Sequence, residues 1–151
     1  MQCWQNTIKL ANIAGRIYQD LYSPCSLCLP ADERVSRSSK LAQEIHQNVI
    51  EAERVIQLWS FIVGESDRHL VRFTALADDV IRQSMITLIH RAAPAQPGPG
   101  RAFTEDCVNS ARVTLESHEA CIATVIDNPR YLDIYFQWTV LFASFVPFFV
   151  L

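Results

Sequence analysis

The fold is decided by residues 35–63, which have the sequence VSRSSKLAQEIHQNVIEAERVIQLWSFIV. Apolar and small side chains recur there in steps of three and four, which places them on one face of a helix. Charged and amide side chains repeat at the same spacing on another face. The stretch therefore predicts one long amphipathic helix. Its predicted buried positions are Val35, Ser38, Ala42, Ile45, Val49, Ala52, Ile56, Trp59 and Val63.

The two faces of this helix differ in their expected exposure. Ile45 and Trp59 lie on the apolar face, and we expect both in the core. Arg37 and Glu51 lie on the polar face, and we expect both in solvent. A coiled coil would need a more strongly apolar seam than this mixture of small residues provides. The pattern therefore favours a helix packed within an all-α domain.

Three other stretches have the same helical period. Residues 4–22 precede the long helix, residues 70–88 follow it, and residues 103–125 come later in the chain. Each stretch has one side that we expect to be buried. The predicted buried positions are Trp4, Ile8, Ala11, Gly15, Tyr18 and Tyr22 in the first stretch, Leu70, Phe73, Ala77, Ile81, Ser84 and Leu88 in the second, and Phe103, Cys107, Ala111, Thr114, His118, Cys121 and Val125 in the third.

Capping and helix-breaking residues set the expected helix ends. Gly64 predicts the end of the long helix, and Ser66 or Asp67 can cap the next one. The segment 93–101 has three prolines and two glycines and predicts an irregular loop. Thr104 can then cap the following helix. The chain is thus expected to form an irregular all-α domain of about five helices.

Composition limits the function classes. The 151 residues are 50% hydrophobic and 19% charged, which is typical of one globular domain. The net charge is −3, from 13 Lys and Arg against 16 Asp and Glu, and no basic cluster is present to displace counterions from nucleic acid. We therefore expect that this chain does not itself grip DNA. Five cysteines, an odd number, and the lack of a signal-peptide pattern predict free thiols in a reducing compartment.

Cys25 and Cys28 are the only cysteines with metal or redox spacing. They lie within residues 23–30, SPCSLCLP, where two prolines break the first helix. A tetrahedral zinc site needs two more ligands, and a redox pair is expected at the start of a helix after a strand. We interpret the pair as two small, partly buried thiols on a loop. His118 and Cys121 lie one helical turn apart, and we interpret them as core residues rather than metal ligands.

The sequence has no recognisable catalytic arrangement. Residues 64–68, GESDR, lack the second glycine and the preceding strand of a nucleophile elbow. Asp78 and Asp79 are adjacent, so their side chains leave a helix on different faces and cannot form a catalytic dyad. We predict no enzyme activity and assign no catalytic, cofactor-binding or metal-binding residue.

The last residues, 134–151, carry no charge. The length of this run is close to that of a membrane-spanning helix, so a tail-anchored membrane protein is one alternative. Pro147 favours a different structure, in which Ser144 caps a second helix and the proline lies in its first turn. The apolar side chains beyond this break would then be uncovered and would drive self-association. They are Phe145, Phe148, Phe149 and Val150.

Three segments match, in order and rough spacing, motifs of one known family. The first is residues 10–24, LANIAGRIYQDLYSP, a helix that ends on a Leu-Tyr-Ser turn. The second is residues 107–121, CVNSARVTLESHEAC, with an Ala-Arg pair, and the third and most specific is residues 138–151, WTVLFASFVPFFVL, with a Trp followed by Phe-x-Pro-Phe. Together they resemble the fungal-specific transcription factor domain, the middle homology or regulatory region of fungal zinc-cluster transcription factors.

This resemblance implies an all-α module in the nucleus that modulates transcription by its parent protein, through ligand or partner contact. In the family, a six-cysteine zinc cluster reads the DNA. This chain has no such cluster, so zinc and DNA binding are expected of the parent protein only. We expect residues 1–151 to be part of a larger helical regulatory domain, truncated at both ends, which binds partners through apolar helix faces. A small metal or redox protein that uses Cys25 and Cys28 is a further alternative beside the membrane anchor.

Overall fold

The computed structural model describes residues 2–93, 102–143 and 145–151, with the side chains of these residues except 2–7 and 66. Within these ranges every regular element is helical and no strand is present. The predicted all-α fold is therefore confirmed. In chain order the α-helices are α1 (Gln2–Ile17), α2 (Pro24–Leu27), α3 (Ala31–Ile62), α4 (Glu65–Ala92), α5 (Glu105–Asp127), α6 (Leu132–Ile134) and α7 (Val146–Val150).

Two of these helices change their winding without a break. α1 continues into a π-helical segment, Tyr18–Tyr22, and α6 continues into another, Tyr135–Val140. With these extensions, five helical stretches of the described chain are longer than seven residues, as predicted. α2 and α7 are short helices. A π-helical segment is rare and often marks a functional site.

α4 is the central helix, and two core clusters share it. The first cluster joins the second half of α4 to α1 and α3, and the second joins the first half of α4 to α5 and the residues after it. The first cluster contains Leu10, Ile13, Ile17, Leu21, Leu41, Ile45, Ile81, Met85, Leu88, Ile89 and Ala92. The second contains Phe73, Ala77, Val80, Cys121, Val125, Tyr131, Tyr135 and Ala143.

Polar contacts fix the helices relative to one another. The Arg16 guanidinium donates to both carboxylate oxygens of Glu44, at 2.5 and 3.0 Å, and so ties α1 to α3. The Tyr22 hydroxyl donates to the Leu88 carbonyl oxygen at 2.6 Å. Bidentate Arg–carboxylate pairs specify orientation as well as adding energy. These contacts set the position of α1 on the surface formed by α3 and α4.

The predicted buried face of α1 is wrong. The structure buries Leu10, Ile13 and Ile17 and continues that face to Leu21, while Ile8 and Tyr18 are exposed. Both sets have helical spacing, but the observed set carries four large aliphatic side chains and therefore buries more apolar area. The predicted set included Ala11 and Gly15, which have little area to bury, and Trp4, whose side chain lies outside the described residues.

The predicted buried face of α3 is correct only along the middle of the helix. Ile45 is fully buried, and Ser38 and Ala52 are buried with it. Trp59 is 41% exposed, so its assignment to the core was wrong. The physical reason is that α1 and α4 cover the middle of α3, whereas no described element covers its last turns. Arg37 and Glu51 are half-exposed in ion pairs with Glu33 and Lys9.

The helix ends agree with the sequence in part. Thr104 caps α5 as predicted, since its hydroxyl accepts a hydrogen bond from the Cys107 backbone N–H at 3.2 Å. Gly64 is the N-cap residue of α4 rather than the C-terminal cap of α3, so the predicted caps at Ser66 and Asp67 are wrong. α4 ends at Ala92, and residues 94–101 of the predicted loop lie outside the described residues.

The last residues form two helices, as the position of Pro147 predicts. The helix that begins with α6 ends at residue 142, and α7 begins at Val146 with Pro147 in its first turn. Phe145 is the N-cap residue of α7, and Ser144, the predicted cap, lies outside the described residues. We call residues 132–143 and 145–151 the closing segment.

Candidate functional site

A cavity of about 290 Å³ lies where α1, α3 and α4 meet the closing segment. Its wall is mostly apolar, with a few polar side chains, which is the usual composition of a small-molecule site. Four of its residues follow one face of α4 at helical spacing. The residues that line the cavity are Leu10, Ala11, Ala14, Asn48, Asp78, Ile81, Arg82, Met85, Trp138 and Phe142.

The Arg82 side chain is a buried cation in the wall of this cavity. The residue is 5% exposed, and its Nε has no hydrogen-bond partner among the described residues. Its ion pair with Asp79, from Nη2 to Oδ1, is 4.0 Å long, which is beyond hydrogen-bond distance. Burying a charged group without acceptors is costly. An acceptor that enters the cavity would therefore stabilise Arg82.

Asp78 lies one helical turn before Arg82 and lines the same cavity. Burial raises the pKa of its carboxyl above the ordinary value of 3.8, and the charge of Arg82 opposes this rise. No hydrogen bond to Asp78 is found within the described part of the chain. The carboxyl is thus shifted towards its neutral form, in which it can donate a hydrogen bond.

The Asp79 side chain lies on a different face of α4 from the Asp78 side chain. Its Oδ2 accepts a hydrogen bond from the Ser117 hydroxyl on α5, at 2.8 Å. Asp78 instead lines the cavity beside α1 and α3. The two adjacent carboxyls point to different neighbours, as predicted from their positions on a helix.

The closing segment presents an apolar outer surface, which we call the apolar face. One side of its first helix is buried through Tyr135 and Thr139, and Pro147 is buried at the start of α7. The other side is uncovered, although its side chains are large and hydrophobic. The exposed members of the apolar face are Leu132, Ile134, Phe136, Trp138, Leu141, Phe142, Phe145, Phe148, Phe149 and Leu151.

The exposure predicted for the last residues is largely confirmed. Phe145, Phe148 and Phe149 are exposed, and Phe149 reaches 75%. Val150 is only half-buried rather than uncovered. α7 is held against α5, where the Phe148 ring lies 6.1 Å from the His118 ring between centroids. The face is therefore fixed in position by contacts on its inner side.

The predicted loop contains the short helix α2, with Cys25 inside it, Ser23 as its N-cap residue and Cys28 as its C-cap residue. Ser23 Oγ accepts a hydrogen bond from the Ser26 backbone N–H at 3.2 Å. Both thiols are free and exposed rather than partly buried. Across the described residues, no three His, Cys, Asp or Glu side chains come together as a metal-binding group.

His118 and Cys121 both lie on the inner side of α5. His118 Nδ1 is 2.9 Å from the Tyr135 hydroxyl, so the ring is hydrogen-bonded within the fold. Burial lowers the pKa of His118 and raises the pKa of the Cys121 thiol to about 11. A raised pKa keeps the thiol protonated and unreactive. The arrangement agrees with the interpretation of both as core residues.

Among the described residues, no helix is both long enough and apolar enough to cross a bilayer. No known protein-family profile, curated protein or solved structure matches the chain. The resemblance to the fungal transcription factor domain therefore rests on the three sequence segments, and it stays a prediction.

Asp78 and Arg82 were not predicted from the sequence as site residues. Asp78 and Arg82 directly follow Ala77 and Ile81, so they flank the predicted buried face of the helix rather than lie on it. An acidic and a basic residue four positions apart are more commonly a solvent-exposed pair. Their burial follows from the helices that pack over this part of α4.

Proposed function

We propose that this chain is a helical regulatory module of a fungal zinc-cluster transcription factor, which acts in the nucleus and modulates transcription by its parent protein. The observation that carries the proposal is the apolar face of the closing segment, because it is a surface for packing against another protein element. The all-α fold and the three sequence motifs support the same assignment.

The apolar face supports a docking role through the distribution of its side chains. A helix with large apolar side chains all round is normally covered on all sides. In the closing segment Thr139 is fully buried, whereas Leu141 is 71% exposed. Contiguous exposed apolar patches of this kind mark interaction sites. The occupant that fits best is another apolar helix of the parent protein, since the segment resembles the interior of a larger helical domain.

The charge of the chain favours protein contact over DNA contact. The net charge is −3, so the chain does not carry the excess of positive charge that releases counterions from DNA. DNA reading belongs, in this proposal, to the zinc cluster of the parent protein. The module acts on that protein through the apolar face.

The proposal is tested with a reporter gene. Residues 1–151 are inserted between a heterologous DNA-binding domain and an activation domain, and transcription is compared with the fusion that lacks them. We expect the insertion to change reporter output, and we expect Leu141→Asp with Phe149→Asp to reverse that change. Ile8→Asp is the matched control, because Ile8 is exposed to a similar degree on α1.

Two outcomes would contradict the proposal. One is a reporter output that the insertion does not alter. The other is an equal effect of the Ile8 control and the double variant, which would show that the apolar face is not the acting surface. Flotation of the isolated chain with liposomes, lost in the double variant, would instead favour the membrane anchor.

A further inference from the structure

We propose that the cavity between α1, α3, α4 and the closing segment binds a small organic carboxylate. The carboxylate oxygens accept hydrogen bonds from Arg82, and the apolar body of the ligand packs against Met85 and Trp138. The cavity shares Trp138 and Phe142 with the apolar face, but the inference rests on Arg82 and the cavity wall and does not depend on the proposed regulatory function.

Arg82 selects the charge of the ligand. Its Nε is buried without a partner among the described residues, and its ion pair to Asp79 is 4.0 Å long. A guanidinium binds a carboxylate through two parallel hydrogen bonds. Because Nε has no exposed surface, the terminal Nη1 and Nη2 groups are the donors left for a ligand. A doubly charged phosphate would meet more repulsion from the Asp79 carboxylate than a singly charged carboxylate does.

Asp78 supplies a second polar contact. Burial raises the pKa of its carboxyl, which favours the protonated form. A protonated carboxyl donates a hydrogen bond, so Asp78 repels a bound carboxylate less as the pH falls. Asp78 and Arg82 follow each other by one turn of α4, so both reach the same end of the ligand.

The size and the wall of the cavity select the apolar body. The volume of about 290 Å³ equals that of roughly ten waters at about 30 Å³ each. This suits a molecule with a single ring or a short aliphatic chain. Leu10, Ile81 and Met85 form the aliphatic part of the wall, and Trp138 and Phe142 form the aromatic part. Phe142 and Trp138 of the closing segment and Ala11 of α1 are exposed, so the cavity opens between these two elements.

The test uses the methionine methyl groups. The chain has two methionines, Met1 and Met85, and Met85 lines the cavity. Protein labelled with ¹³C at the methionine methyl groups is titrated with 4-phenylbutyrate and, separately, with the uncharged 4-phenylbutanamide. We expect the Met85 signal, assigned with Met85→Leu, to shift with the carboxylate. The amide should bind roughly ten- to a hundredfold more weakly.

Variants on α4 complete the test. Arg82→Gln should weaken binding of 4-phenylbutyrate roughly ten- to a hundredfold. Asp78→Asn should retain binding, because the amide also donates a hydrogen bond. Arg72→Gln, an exposed arginine of the same helix, is the matched control and should bind as the wild type does.

Several results would overturn the inference. They are an unchanged Met85 signal at millimolar 4-phenylbutyrate, equal affinity for the carboxylate and the amide, and equal affinity of the wild type and a folded Arg82→Gln. Circular dichroism shows whether Arg82→Gln folds. If Arg82→Gln does not fold, the affinities of the wild-type chain for the carboxylate and for the amide show whether the cavity prefers a carboxylate.

Discussion

Replacement of Ile45 by alanine tests the packing of α3 most directly. Ile45 is fully buried in the cluster shared by α1, α3 and α4. The substitution removes three carbon groups, and the transfer term of about 0.8 kcal/mol per group amounts to roughly 2.4 kcal/mol. The void left behind adds to this, because closely packed helices collapse only partly around it. We expect a total loss of about 3–4 kcal/mol, within the range of about 2–5 kcal/mol for such changes.

Urea denaturation followed by circular dichroism measures this loss. With a denaturant slope of about 2 kcal/mol per M, the midpoint should fall by roughly 1.5–2 M at an unchanged slope. Phe61→Ala is the control on the same helix, because Phe61 is 86% exposed. That variant and Glu51→Ala should each stay within about 0.5 kcal/mol of the wild type. Equal losses for Ile45→Ala and Phe61→Ala would refute the reasoning.

Three further predictions concern hydrogen bonds, pH and thiol reactivity. Tyr22→Phe removes the bond to the Leu88 carbonyl and should lower the free energy of unfolding by about 1–3 kcal/mol in urea denaturation. Arg16 lowers the pKa of Glu44 below 4.5, so the advantage of the wild type over Glu44→Gln should be present above pH 4.5 and shrink as the pH falls below it. Ellman's reagent should react with Cys25 and Cys28 in the folded chain and with Cys121 only after unfolding.

Sequence periodicity predicted most of the buried face of α5. Cys107, Ala111, Thr114 and Cys121 are buried as expected, while apolar side chains on other faces of the helix, Val113, Ile122 and Ile126, are exposed. In α1, two sets of residues have helical spacing. The set through Tyr18 was predicted to be buried, and this prediction was wrong. Only the position of α3 and α4 decides between such faces, and a periodic pattern carries no information about that position.

The candidate site was harder to predict than the fold. Asp78 and Arg82 have the spacing of an exposed ion pair, and their burial depends on helices distant in sequence. Trp138 and Phe142 reach the cavity from a helix that passes through a π-helical segment. The extra residue in each π turn rotates the following side chains relative to an α-helical pattern. Within the apolar face, by contrast, the exposure of Phe145, Phe148 and Phe149 was predicted from the break at Pro147, and that of the side chains before the break was not.

The hairpin of α3 and α4 extends past the core. We expect this extension to affect the rate of hydrogen–deuterium exchange at its backbone amides. No described side chain between Ala52 and Phe73 is buried, so the end of α3 projects about 15 Å beyond its last buried residue. Backbone hydrogen bonds there lack tertiary support and open by local fraying. Their protection against deuterium exchange should decline turn by turn towards Gly64, while amides around Ile45 exchange only through global unfolding. The same two helices thus contain a slowly exchanging half and a rapidly exchanging half.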